Sequence, residues 1–319
     1  MLEGLGYSSL ATKHVFVVGC PRSGTTWLHL LLAQHPEVAT TRETHLFDQY
    51  LAHLNRAWEE SKSRKAKVGL TPLLSEQEFY DLCRKFADGV FGKIAATNQV
   101  ATVILEKTPQ HVCYARLILK LIPNAYFIHI VRDPRSVVSS LRAAAHSWAQ
   151  TWASPGIHSN ARLWHSQVSA GRAIRDLTTH FREVRFEDLR SDGGRDLLLD
   201  LFQWLGLVAD AHFISQALEA CRIENVREQG LGLRDFNRLK PQDPESLRKG
   251  SLDGWKDELS QREIRIIEYI DRDLMKAYGY ETASLHKEPV KPFRLLLAEL
   301  FDRADWRTRK TLERVRKYV

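Results

Sequence analysis

The chain is poor in cysteine and has no long apolar run. Its four cysteines, Cys20, Cys83, Cys113 and Cys221, form no CxxC pair and no regular spacing, so neither a zinc site nor a disulfide framework organises it. That usage points to a reducing compartment, and the expected location is cytoplasmic. No apolar stretch approaches the roughly 20 residues that span a bilayer. The opening MLEGLGYSSLATKH also lacks the basic-then-apolar pattern of a signal peptide. Any membrane contact is therefore expected to be peripheral. Internal repeats and low-complexity tracts are missing too. What is present is 319 residues, 44% of them hydrophobic, enough for a sizeable core. A net charge of +7 favours anionic ligands or surfaces without naming one.

Hydrophobic periodicity predicts an α/β chain. Val15 to Val18 reads as a short buried strand, and Thr25 to Gln34 as a helix with Trp27, Leu28, Leu31 and Leu32 at helical spacing. Further strands are expected at 36–41, 101–105, 126–131 and 183–186. Helices are expected at 46–63, 75–90, 112–122, 134–146 and 197–205, the last ending at Gly206. Alternation of this kind implies a P-loop-like central parallel sheet with helices on both faces. Ligands of such sheets bind beyond the carboxyl ends of the strands. The charged turns at Arg22, Glu106-Lys107 and Arg132 all fall at that end, so they can converge.

The stretch GCPRSGTTW, residues 19–27, follows the first strand and opens the first helix. Two glycines with four residues between them suit a phosphate at a helix N-terminus, where backbone N–H groups lack partners. A P-loop for nucleoside triphosphates carries a lysine where this chain has Thr25, and its Ser/Thr position is Thr26. Here the cation is Arg22, three residues earlier, and no strand ends in a clean magnesium-binding Asp, because Asp133 follows Arg132. A 5' phosphate bearing a further anionic group, held by Arg22, Ser23, Gly24, Thr25 and Thr26 without a metal, fits this loop better than ATP.

The segment FVVGCPRSGTTWLHLLLAQHPEV resembles the 5'-phosphosulfate loop of the sulfotransferase family, whose donor is 3'-phosphoadenosine 5'-phosphosulfate (PAPS). Many members have Lys at the position of Arg22; tyrosylprotein and several carbohydrate sulfotransferases have Arg. FIHIVRDPRSVVSSL, residues 127–141, resembles the family's 3'-phosphate motif, with Arg132 and Ser140 at the matching spacing of eight. RKGSLDGWK, residues 248–256, is similar to an RKGxxGDWK segment, which nominates Arg248, Lys249 and Gly250 for the same phosphate. The Gly-Asp pair is reversed in this chain as Asp253-Gly254. By the same resemblance Trp27 lies against adenine, and Phe186 in VRFEDL stands where many relatives have Tyr. Aromatic faces suit a purine because stacking needs no hydrogen-bond code.

The stretch TTRETHLFDQY, residues 40–50, looks like the KExHFFD segment of heparan-type sulfotransferases, and the proposed base there corresponds to Glu43. His45 would support it or touch the substrate. LEKTPQH, residues 105–111, resembles the EKSP segment of those enzymes. Lys107 is then expected to stabilise the transferring group, or to pair with Glu106 or Glu43. The resemblance runs over about residues 14–280 and implies a PAPS-dependent sulfotransferase with Arg22, Glu43, His45 and Lys107 at the chemistry and no metal. Its acceptor would be a hydroxyl or amine of a small molecule such as a phenol, of a lipid, of a carbohydrate or of a peptide, with no nucleic acid expected. A kinase-like phosphotransferase, or a non-catalytic protein binding polyanions or membranes, are the competing readings.

Two segments complete the chain. AHLNRAW and AAAHSWAQTWASPGIHSNARLWHSQ are expected to shape the acceptor pocket and its lid, with most of their aromatics in the core. Residues 1–288 are expected to form the α/β domain and 289–319 a C-terminal basic amphipathic helix. From Phe293 that segment has eight Lys/Arg against four Asp/Glu, with Leu297, Leu300, Phe301, Ala304, Leu312 and Val315 on one stripe. Docking on the domain, pairing with a second copy and lying on an anionic membrane are its three expected uses.

Overall fold

A computed structural model describes residues 12–65, 67–229 and 250–282. Arg248, Lys249 and the 289–319 segment lie outside the described residues. Five parallel strands form one sheet: β1 Lys13–Gly19, β2 Val38–Thr40, β3 Val103–Glu106, β4 Tyr126–Val131 and β5 Phe181–Arg185. Their order is β2-β3-β1-β4-β5, so β1 is central, with Val15 opposite Leu105 on one side and Tyr126 on the other. The expected α/β class and all five expected strands are present.

Period-two alternation explains why the sheet is covered on both faces. Val15 and Val17 of β1 join Val103, Leu105, Ile128 and Ile130 in one core cluster, together with α1 (Thr25–Leu32). Phe16 and Val18 point the other way and join Ile104 and Phe127 in a second cluster. Each of these side chains is at most 3% exposed.

The helices after α1 are α2 (Ala52–Ser63), α3 (Glu76–Ala95), α4 (Ala115–Leu121), α5 (Pro134–Ala145), α6 (Ile157–Ala173) and α7 (Phe186–Leu189). They are followed by α8 (Gly194–Leu205), α9 (Ala211–Ala220), α10 (Ile223–Gln229), α11 (Trp255–Glu258) and α12 (Gln261–Ala277). Two expected helices differ at their starts. Leu46–Leu51 is a π-helical turn ahead of α2, and Pro109–Tyr114 is a 3-10 turn ahead of α4. Hydrophobic spacing cannot separate these windings over a single turn, and Pro109 has no N–H to donate to a helical ladder.

The N-terminus of α5 is locked by charge. Asp133 caps it by accepting from the Arg135 amide, and the Arg135 guanidinium bridges Asp133 (2.6 Å) and Glu268 of α12 (2.8 Å) while lying 4.1 Å from the Trp255 ring. Asp133 is thereby committed to structure, and α12 is tied to the helix that follows β4.

Candidate functional site

All five strands end at one edge, and the loops leaving them line a cleft of about 1230 Å³. Arg22 comes from the loop after β1, Glu43 and His45 from that after β2, and Arg132 from that after β4. Phe186 follows β5, and Lys107, after β3, reaches the same place through its bonds. Residues more than 100 positions apart are adjacent only because the strands are parallel.

The glycine loop has the geometry of an anion cradle. Gly24, at φ 96°, caps α1 with no side-chain bond, and a Cβ there would stand 2.4 Å from the Phe186 ring. Only glycine lets this backbone turn and close on its neighbour. Ser23 is fully buried and its Oγ has no hydrogen-bond partner, while Thr25 is buried beside it at the helix entrance. A buried hydroxyl without a partner is costly, and a phosphate oxygen at this entrance would satisfy it. Arg22 itself adopts φ 73°, a left-handed conformation rare for a residue with a side chain.

Two arginines meet at this loop. Arg22 Nε donates to Ser140 Oγ at 3.0 Å, and Arg132 donates to the Arg22 carbonyl at 3.2 Å and to the Ser251 carbonyl at 2.6 Å. The Arg132 guanidinium lies 4.5 Å from the centre of the Phe186 ring. Phe186, at 3% exposure, thus works mainly from below, as a floor for Arg132 and a neighbour of Gly24. Trp27 meets Phe186 edge-on at 5.8 Å and is itself covered by Arg190 at 5.3 Å. Gly250, at φ 61°, brings the start of the 250–258 segment to the cleft wall.

On the other side of the loop stands an acid–base group. Lys107, only 2% exposed, donates to Glu43 Oε1 at 2.6 Å and to Thr26 Oγ1 at 3.3 Å. Of the two expected carboxylate partners it chooses Glu43. Glu106 turns away and accepts from Thr44, Thr108 and the Nδ1–H of His111 (2.9 Å), while the Phe47 amide donates to His111 Nε2. This buried knot clamps the 43–48 loop onto the end of β3. Thr26, expected at the phosphates, faces Lys107 in this arrangement.

His45, at φ 51°, bonds through Nδ1 to Asp48 Oδ2 at 2.9 Å and lies with Nε2 3.4 Å from Glu43 Oε2. Burial pushes the Glu43 carboxyl up, but the His45 hydrogen bond and the Lys107 ammonium outweigh it and hold it at about 2. The bonds from Asp48 and Glu43 push His45 up to about 10, against an ordinary 6.5. His45 therefore stabilises the fold fully below pH 6.5, and that contribution is lost as pH rises through 10. Glu43, ordinarily at 4.5, contributes above that pH and fades as pH falls towards 2. We expect the melting temperature to fall between pH 6.5 and 10, and His45→Gln to flatten that fall. Equal slopes in the two proteins would remove His45 from the pair.

Several cleft residues were not singled out from sequence. Asp48 and Gln49 come from the π turn, Arg190 from the end of α7, and Ile223 from α10. Only Asp48 had a signal in the sequence, as the last position of the stretch that resembles KExHFFD. The aromatics divide: Trp58 and Trp164 are core, whereas Trp148 and Trp152 line the cleft. Among the described residues, no group of three or more His, Cys, Asp or Glu is placed to hold a metal ion.

With this geometry in hand, comparisons with known proteins agree on one relationship. The model of the sulfotransferase family matches residues 14–209. Protein-tyrosine sulfotransferase 2 of Gallus gallus is 32% identical over 127 residues, 40% of this chain and 33% of that protein. The chain thus spans about a third of the length of that relative, and 24% of the Drosophila melanogaster protein-tyrosine sulfotransferase. Nodulation protein NoeE of Sinorhizobium fredii is 24% identical over 294 residues, covering 85% of this chain and 67% of that one. Among solved structures, mouse sulfotransferase SULT7A1 complexed with PAP superposes with a TM-score of 0.55 at 13% identity, covering 86% of this chain and 90% of that chain. The sulfotransferase domain of the Synechococcus olefin synthase gives 0.52 at 18% identity, covering 85% and 96%. At those identities the likeness to the solved structures is one of fold.

Proposed function

Because the chain belongs to the sulfotransferase family, we propose that it moves a sulfuryl group from PAPS to an acceptor hydroxyl, with Glu43 as the base. The observation that carries this reading is the coupling of two cationic loops. Arg132 donates to the Arg22 carbonyl across 110 residues of sequence, which brings a second cation, and with it a candidate second anion site, beside a glycine loop that has no lysine. ATP has no use for such a site, whereas the 3' phosphate of PAPS does. The mouse neighbour's complex with PAP, the desulfated donor, supports the same choice.

When bound, the donor supplies a sulfur whose bond to the 5'-phosphate oxygen breaks as one to the acceptor oxygen forms. The chain's part is to bind, orient and neutralise. The amides at the start of α1, Ser23 Oγ and Arg22 hold the 5' end, and Arg132 with Ser140 takes the 3' phosphate. Arg248 and Lys249, outside the described residues, join them by family resemblance. Lys107 lies between Thr26 and Glu43, so it can face developing negative charge while staying within reach of the base.

A carboxylate held at about 2 is always ionised at neutral pH but is a weak base. It accepts the acceptor's proton late, when bond formation to sulfur has already made that hydroxyl acidic. Movement of Lys107 towards the transferring group would strengthen it further. A phosphotransferase reading is weakened by Thr25 at the lysine position and by Asp133, which is engaged by Arg135. All four cysteines are free; a cytoplasmic location is part of this proposal.

The test is transfer of labelled sulfate from PAPS to a panel of acceptors in the presence of a chelator. A labelled product, with PAP formed in equal amount, is expected. Phosphate transfer from ATP with magnesium, and none from PAPS, would replace this reading with the kinase.

A further inference from the structure

Past the end of α5, the segment 146–156 brings two indoles into the cleft. Trp148 packs on Ala144, Ala145, Ala149 and Ala153, which pin it in place. Its ring is covered by the Arg22 guanidinium, 5.6 Å from the ring centre. Trp152 follows at 5.6 Å from Trp148, tilted by 60° and 43% exposed. The chain thus leaves a large indole open at the mouth of the cleft, next to the cation expected at the sulfuryl end. Gln49, Gln110 and Asp48 line the same cleft beside Glu43 and His45, and Gln110 Oε1 is buried without a hydrogen-bond partner.

Resting on the sulfuryl-transfer reading, we propose that the acceptor is a neutral saccharide whose pyranose ring lies on Trp152, beside Trp148, and turns one hydroxyl to Glu43. A pyranose has a C–H face and a hydroxyl edge. The negative face of an indole attracts the weakly positive C–H groups, and each buried hydroxyl then needs a partner. Gln49, Gln110 and Asp48 supply partners, and a hydroxyl donor would satisfy Gln110 Oε1. An aryl acceptor would also stack on the indoles, but with one hydroxyl to offer it leaves the amides without partners. An acidic peptide would meet Asp48, Glu224, Asp257 and Glu258 beside Arg22, Arg132, Arg190 and Arg222, a mixed lining that gives it no net attraction.

The test uses the full chain with PAP bound. Calorimetric titrations with neutral oligosaccharides (chitotetraose, cellotetraose, mannotetraose and a fucosylated trisaccharide) are compared with 2-naphthol and an acidic tyrosine peptide. Label transfer from PAPS to each is measured alongside. At least one saccharide should bind and take label. Trp152→Ala should raise its KM by about tenfold with kcat nearly unchanged, Trp152→Tyr should restore most of the loss, and PAP affinity should stay the same in both. Transfer to 2-naphthol or the peptide and to no saccharide overturns the inference, as does an unchanged KM in Trp152→Ala. A protein that binds PAP and no saccharide overturns it alone; one that fails to bind PAP overturns the donor reading beneath it.

Discussion

Glu43→Gln is expected to lower kcat by about 10² to 10⁴-fold, the range that a positioned general base contributes, while PAP still binds. The carboxylate lies in the loop after β2, 2.6 Å from the Lys107 ammonium, which also donates to Thr26. Glutamine keeps the size and one acceptor oxygen, so Lys107 and His45 retain neighbours, but it cannot take a proton. Loss of the charge leaves Lys107, at 2% exposure, without its carboxylate, and some stability should go with it. Two readouts separate the effects. A melting temperature that still rises with PAP shows an intact donor site, and the drop in kcat then belongs to the chemistry. Near-normal transfer by this variant would take Glu43 out of the mechanism.

Arg132→Ala is expected to abolish most of the stabilisation by PAP. At a PAP concentration a hundredfold above Kd the wild-type chain gains about 2.7 kcal/mol. A hydrogen bond to a charged group contributes about 1.5–3 kcal/mol, so its loss weakens binding by about tenfold to a hundredfold or more. At the larger loss the gain shrinks to about 0.4 kcal/mol at the same concentration. The alanine variant also releases the Arg22 and Ser251 carbonyls, which Arg132 holds together, and it uncovers the Phe186 ring. ATP, lacking a 3' phosphate, should stabilise the wild-type chain little and should be indifferent to the substitution. If ATP raises the melting temperature as much as PAP does, the donor assignment falls.

The two residues differ in how far the sequence revealed them. Arg132 was legible because strand β4 is a clean apolar run that stops at a charged turn, and Ser140 follows at a readable spacing. Glu43 was legible only by resemblance, since an isolated Glu in TTRETHL is chemically like any exposed acid. The left-handed backbone of Arg22 and His45 left no mark in composition, because neither is glycine. The same holds for the π turn that sends Asp48 and Gln49 into the cleft, since it shares its apolar spacing with the helix that follows.

The strand–helix alternation, the glycine loop and the charged strand ends were determined by the order of residues alone, because periodicity and turn chemistry are local. Pairing was decided by the tertiary structure: Lys107 with Glu43 and not Glu106, Arg22 with Ser140, Arg135 with Glu268, and Trp148 in the cleft while Trp164 is core. The physical reason is common to all four. A charge or a ring takes its partner by distance and burial across elements, and those are fixed by strand order and packing, which spacing along one chain does not encode.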